Sequence, residues 1–211
     1  MQTINTNNID PTKPIVALTF DDGPSEYTSR ILDTLQKHGG RVSFFVDGIR
    51  IAENKSKVIR AHLMDCEVLC HAWDHPDLTT LSADEIKKQI TDTMDAIETV
   101  INNVTNIFRP PYGYINKTVI KVAEELGLAL VNWSVDPNDW DTDDVDKILD
   151  YIMSNVTDGD IVLCHDLYDS TAKAMSILIP ELIAQGYQLV TVSELLQYKY
   201  GDLEPGVLYP K

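Results

Sequence analysis

The chain has 211 residues, 44% of them apolar and 24% charged, which suits one soluble domain with a sizeable buried core. With 33 acidic against 17 basic side chains the net charge is -16, a field that repels nucleic acid and anionic membrane surfaces, so neither is expected as a partner. No apolar run is long enough to span a bilayer, so no membrane insertion by this segment is expected.

The start, MQTINTNNIDPTKP, is polar and lacks the basic-then-apolar pattern of a secretory signal. Residues 1–14 read as a disordered or linker-like N-terminus and 15–211 as a single domain. This start suits a cytosolic protein and the cut edge of a domain from a longer exported protein alike. IVALTF (15–20) is the first expected strand, followed by the helix SEYTSRILDTLQKHG with Ser25 as its cap. VSFFV (42–46) and EVLC (67–70) are the next strands. LSADEIKKQITDTMDAIETVINN reads as a helix opened by a Ser82–Glu85 capping box. After it come the strand NIFR (106–109), the helix NKTVIKVAEELG stopping at Gly127, and the strands LALVNWS (128–134) and DIVLCH (160–165). The last helix, TAKAMSILIPELIAQG, contains Pro180, which predicts a kink or local irregularity. YQLVTV (187–192) is the seventh strand candidate. Strands alternating with helices of this length argue for parallel βαβ units, hence a small, incomplete β/α barrel or a doubly wound sheet. The three cysteines, Cys66, Cys70 and Cys164, contain no CxxC pair and read as small buried thiols.

The polar residues at the end of each apolar run carry the chemistry. IVALTF leads into Asp21-Asp22-Gly23-Pro24, EVLC into His71 and His75, and NIFR into Pro110-Pro111-Tyr112-Gly113. LVNWS leads into Asp136 and Asp139-Trp140, and DIVLC into His165-Asp166. In parallel β/α folds the carboxyl ends of the strands form one face, where active sites gather. One carboxylate with two imidazoles is a common divalent-metal set with open positions. Of the adjacent Asp21 and Asp22, one can bind a metal while the other stays free as a general base. His165 suits a proton donor, and Arg109 suits a partner that keeps the base ionised. Trp73, Tyr112, Tyr114 and Trp140 are candidates for stacking on sugar faces, with loop packing the competing role for Trp73 and Tyr114.

In this order, TFDDG (19–23), HAWDHP (71–76), RPPYG (109–113), DPNDW (136–140) and LCH (163–165) resemble the five motifs of the polysaccharide deacetylase family, carbohydrate esterase family four. The resemblance implies a distorted, incomplete (β/α) barrel of seven or eight parallel strands. It also implies that Asp22, His71 and His75 hold one divalent ion, zinc above cobalt or nickel. Asp21 would be the catalytic base steered by Arg109, His165 the general acid tuned by Asp139, and the Tyr112 N–H an oxyanion donor. Trp140, Leu163 and Pro110 would line the acetyl pocket. Three positions depart from the family pattern: Leu69 where glycine is usual, Cys70 where asparagine is usual, and Ala72 where a serine or threonine is usual. They put the rigidity of the metal loop in question and place a thiol beside the metal as an oxidisable or competing group.

The implied activity is metal-dependent release of acetate from an acetylated carbohydrate polymer or oligosaccharide, most often N-acetylglucosamine residues of peptidoglycan or chitin. O-acetyl xylan is the alternative substrate. A non-catalytic carbohydrate-binding domain and a small-amide hydrolase are alternative functions. The implied location is extracellular or cell-wall associated, with a cytoplasmic one also compatible with this chain, and a monomer is the expected state.

Overall fold

Strand β1 (Ile15–Asp21) is buried along its whole length and holds the centre of the molecule. The computed structural model describes residue 6, residues 9–103 and residues 106–210. After β1 come α1 (Thr28–His38), β2 (Ser43–Asp47), the short α2 (Gly48–Ile51), α3 (Lys55–Leu63), β3 (Glu67–Ala72) and α4 (Ala83–Ile101). The second half contains β4 (Ile107–Phe108), α5 (Lys117–Glu125), β5 (Ala129–Val131), α6 (Val145–Asn155) and β6 (Asp160–His165). It ends with α7 (Asp169–Ala184), β7 (Gln188–Leu189), α8 (Val192–Tyr200) and β8 (Leu208–Tyr209). The strands form one eight-stranded sheet in the order β6-β1-β2-β3-β4-β5-β8, with β7 on the start of β1. Every strand pairing is parallel, so the fold is a curled, incomplete (β/α) barrel with helices outside. Within the segment read as linker-like, residues 1–5 and 7–8 lie outside the described residues, Ile9 is buried, and the Asp10 N–H donates to Gln188 Oε1 at 2.8 Å.

The period-2 alternation of strand side chains sorts the core into an inside and an outside. Ile15, Ala17, Phe45, Leu69, Ile107, Ala129, Val131 and Ile161 form the inner cluster. The alternate residues Val16, Leu18, Phe44, Val46, Val68, Val162 and Cys164 pack outward with residues of α1 and α7. Cys70, Phe108 and Leu130 face Ile86 and Ile90 of α4 and Val119 of α5. Beyond the inner apolar positions, at the carboxyl ends, the same rows continue as Thr19 and Asp21, His71, Arg109, Leu163 and His165. The polar face is the upper layer of an otherwise apolar barrel interior.

Several expected elements change. Ser25 does not cap α1; its hydroxyl accepts from the Tyr27 N–H and the helix starts at Thr28. The expected strand 128–134 splits. Residues 129–131 pair with β4 and β8, then Ser134 and Val135 donate to the Ile161 carbonyl at 2.9 and 3.1 Å, and Leu163 donates to Val135 at 2.9 Å. That stitch draws the chain after β5 against β6 and nearly closes the barrel. YQLVTV keeps only Gln188–Leu189 as strand, because Thr191 and Glu194 form a capping box that starts α8. α2, α3, α6 and β8 have no counterpart among the expected elements: α3 buries only Val58 and Ala61, and α6 only Ile148 and Ile152, too sparse an apolar stripe to stand out in the sequence. The helix containing Pro180 runs from Asp169 to Ala184.

Candidate active site

The end of β1 places Asp21 and Asp22 side by side with different surroundings. Asp21 is buried, and its Oδ1 accepts from Arg109 Nη1 at 2.7 Å. Its Oδ2 lies 3.9 Å from His71 Nε2. Arg109 is wholly buried, so its pairing with Asp21 is an interior one. Its guanidinium also donates to Thr19 Oγ1 at 2.7 Å and to the carbonyls of Asn132 and Val131 at 3.0 and 3.3 Å. The Phe45 ring lies beneath it, 4.0 Å from Cζ to the centroid. Burial lowers its pKa against the pull of Asp21, but arginine starts so high that it stays charged.

Asp22 turns the other way. Its Oδ1 sits 3.3 Å from both His71 Nε2 and His75 Nε2 and is buried without a hydrogen-bond partner. The His71 Nδ1–H donates to the Arg109 carbonyl at 2.7 Å, which leaves the Nε2 lone pair facing Asp22. Among the described residues, Asp22, His71 and His75 each offer one ligand atom, all within 4.8 Å of one another. A buried carboxylate oxygen without a hydrogen-bond partner, facing two imidazole nitrogens, is a donor set that fits a divalent cation. Burial works against the Asp22 charge, yet His71 and His75 hold its pKa at about 2. Burial disfavours the charged form of His71, but Asp21 and Asp22 raise its pKa, whereas burial and His71 lower that of His75.

Across the site, Asp139 is buried in the turn Asp139–Asp141 and accepts three hydrogen bonds. These come from His165 Nδ1 at 2.7 Å, the His165 N–H at 2.8 Å and Thr171 Oγ1 at 2.6 Å. Burial disfavours the His165 cation, but Asp139 outweighs it and lifts the pKa to about 9. His165 is therefore charged at neutral pH, with Nε2 left to donate.

The rim is conformationally unusual. Asp22 (φ 70°), His75 (φ 60°), Tyr112 (φ 60°) and Asn138 (φ 51°) all have left-handed backbone without being glycine. Tyr112 and Tyr114 are 54% and 55% exposed with ring centroids 5.5 Å apart, and the Tyr112 ring meets His75 edge-on at 4.5 Å. Trp140 is exposed beside Asp139, while Leu163 and Pro110 are buried. Trp73 is only half-buried, and its ring sits against Gly48, where an added Cβ would come within 2.4 Å of it. It is a packing residue of the loop.

The three departures on β3 sit away from the metal ligands' open side. Leu69 is fully buried in the inner cluster and pairs in register with Phe45, so its side chain packs in the barrel interior beneath the metal loop. Cys70 points outward at α4, with its thiol 3.7 Å from the Ile90 carbonyl, and burial pushes its pKa up so that it stays protonated. It is no competing ligand. Two further carboxylates carry no role in the sequence reading: Asp47 and Asp166 are buried, each with one unpartnered oxygen, and burial lifts each to a pKa of about 7. Thr171 and Gln89 are also supporting groups outside the motifs, and Thr19, though it opens TFDDG, carries no role in the sequence reading.

A family model described as polysaccharide deacetylase matches residues 8–131. The peptidoglycan-N-acetylmuramic acid deacetylase PdaC of Bacillus subtilis is 42% identical over 90% of this chain and 40% of its own length. The peptidoglycan-N-acetylglucosamine deacetylase PgdA of Listeria monocytogenes is 40% identical over 89% of this chain and 39% of its own length. The chain therefore spans about two fifths of these curated relatives. The solved structure of Bacillus subtilis PdaC superposes with a TM-score of 0.87 at 42% identity, covering 90% of this chain and 94% of that one. No helix among the described residues is long and apolar enough to cross a membrane.

Proposed function

Because the chain belongs to the polysaccharide deacetylase family, we propose that it is a metal-dependent hydrolase releasing acetate from N-acetylated sugars of a glycan of the peptidoglycan or chitin type. The observation that carries this reading is the placement of an arginine-held Asp21 and an aspartate-held His165 around the Asp22, His71 and His75 donor set. A decayed binding module has no need of either buried pair.

Asp22, His71 and His75 would hold the divalent ion, zinc by preference, and the Arg109 carbonyl fixes the tautomer of His71. When bound, the ion acidifies a water and stabilises negative charge on the acetyl oxygen. Asp21 Oδ2, the oxygen that Arg109 leaves free, accepts the proton as the water oxygen attacks the carbonyl carbon. The Tyr112 N–H, set by its left-handed turn, donates to the developing oxyanion, a contact worth about 3 kcal/mol in comparable sites. His165 Nε2 gives its proton to the sugar nitrogen as the C–N bond breaks, so acetate and a free amine leave. Trp140, Leu163 and Pro110 flank the acetyl methyl, and exposed Tyr112 and Tyr114 offer faces to the sugar. We read residues 15–211 as the catalytic unit of an exported protein acting at the cell wall, a reading that the peptidoglycan deacetylases among the relatives support.

The test is acetate release after chelation, with and without restored zinc or cobalt, on an N-acetylated chito-oligosaccharide or peptidoglycan fragment and on acetylxylan in parallel. Metal-dependent release from the first alone is expected. Release from acetylxylan alone would make the enzyme an O-acetyl esterase, and no release from either would remove the catalytic reading.

A further inference from the structure

The loop between the two metal histidines has no side-chain brace of its own, since Ala72 is a buried methyl and His75 stands in left-handed backbone directly before Pro76. Such a conformation persists only where neighbours over-determine it. The neighbours come from outside the loop. Gln89 on α4 places Oε1 2.8 Å from the Trp73 N–H and 3.3 Å from the Asp74 N–H, and its Nε2 donates to Asp74 Oδ1 at 2.7 Å. From the opposite side the Ile49 N–H donates to the Trp73 carbonyl at 2.9 Å. The Trp73 ring is seated on Gly48, with Thr93 Oγ1 2.7 Å from where a Cβ there would stand. The 73–74 stretch is thus gripped on its N–H groups, its carbonyl, its ring and its carboxylate.

We propose that Gln89 is the positioning residue of the metal loop: one amide side chain holds the Trp73–Asp74 backbone and so fixes His75 against Asp22. Gln89 touches neither metal nor substrate, and it acts through the loop. The proposal rests on the reading of Asp22, His71 and His75 as the metal site. Of the amide's two ends, Oε1 takes two backbone donors and Nε2 takes the carboxylate, so both polarities are used. Glutamate would keep the first function and set a like charge against Asp74.

The test is a zinc titration of chelated full chain by competition with a chromogenic chelator, on wild type, Gln89→Ala, Gln89→Glu, Asp74→Ala and Lys88→Ala. Lys88 is the control, an exposed neighbour on α4 paired with Asp92. Gln89→Ala is expected to weaken zinc by about tenfold or more, as loss of supporting bonds does elsewhere. Gln89→Glu and Asp74→Ala should fall between it and wild type, and Lys88→Ala should match wild type. Hydrogen exchange at the Trp73 and Asp74 amides should speed up by at least tenfold in Gln89→Ala, with the thermal midpoint of the chelated protein little changed. Zinc affinity within twofold of wild type for both Gln89→Ala and Asp74→Ala would overturn the clamp while leaving the metal site intact. A wild type that binds no zinc would overturn the metal reading and the clamp with it.

Discussion

The carboxylate of Asp139 holds His165 at two points, taking the ring Nδ1–H at 2.7 Å on one oxygen and the backbone N–H at 2.8 Å on the other. This double grip fixes the ring and its charge together. Asp139→Asn should therefore lower the His165 pKa from about 9 toward the ordinary histidine range. On the proposed mechanism the protonated form is the acid, so the alkaline limb of the kcat profile should move to lower pH, with kcat at pH 8 reduced by up to about thirtyfold. A pH–rate series on both proteins checks it, and an unmoved limb would assign that limb to another group.

Arg109 and Asp21 are a buried pair, and truncating one partner strands the other. Arg109→Met leaves Asp21 and the Thr19, Val131 and Asn132 acceptors without their cation. The expected cost is about 3–5 kcal/mol of stability together with a large fall in kcat. Zinc affinity should change far less, because the carbonyl that orients His71 is backbone. Denaturant unfolding and a metal titration on the same sample separate the two effects.

Asp166 accepts from Thr28 Oγ1 with one oxygen and leaves the other buried without a partner. Its pKa is raised from 3.8 to about 7 by burial, so the folded state binds a proton that the unfolded state has released. Stability from this group is complete below pH 4 and is lost as pH rises through about 7, a few kcal/mol at about 1.4 kcal/mol per tenfold. Asp166→Asn keeps an acceptor for Thr28 and cannot ionise. The chelated variant should lose less stability than wild type between pH 5 and 9, as urea unfolding at each pH would report. A parallel dependence in both would clear Asp166 of the effect.

Metal should also act as a folding ligand. Zinc at a hundredfold excess over its dissociation constant stabilises the binding-competent fold by about 2.7 kcal/mol. For a chain of this size that raises the melting midpoint by about 5–10 °C. His75→Ala should abolish the shift, while His165→Ala should retain it. Differential scanning fluorimetry with and without chelator measures both.

The strands and their polar ends were legible because short continuous apolar runs and the motif residues after them survive without any knowledge of neighbours. The packing partners of those strands were not. EVLCH reads as one apolar run, yet Leu69 faces the barrel interior and Cys70 faces α4, so the thiol written beside His71 stands on the other side of the sheet. The grip on Arg109 was likewise hidden, since two of its four acceptors are main-chain carbonyls of residues 131 and 132, which no side-chain pattern encodes. Gln89 was invisible for a related reason: it bonds to backbone N–H groups far back along the chain, from the polar side of an ordinary amphipathic helix. The chain after Trp133 misled because a strand that changes partners midway has the same composition as one that does not.

The parallel pairing of β1 with β6 has a consequence for how the protein is made. Asp21 lies opposite His165 in that register, with most of the chain running between the two. A ribosome-bound chain that has emerged only through residue 131 carries Asp22, His71, His75 and Arg109, but neither β6 nor the Asp139–His165 pair. Such a nascent chain exposes one side of its central strand, and it can offer a cation three ligands before it has a proton donor. On the proposed mechanism the donor set is therefore complete in the chain before the proton donor, which joins the site only when the sixth strand docks beside the first.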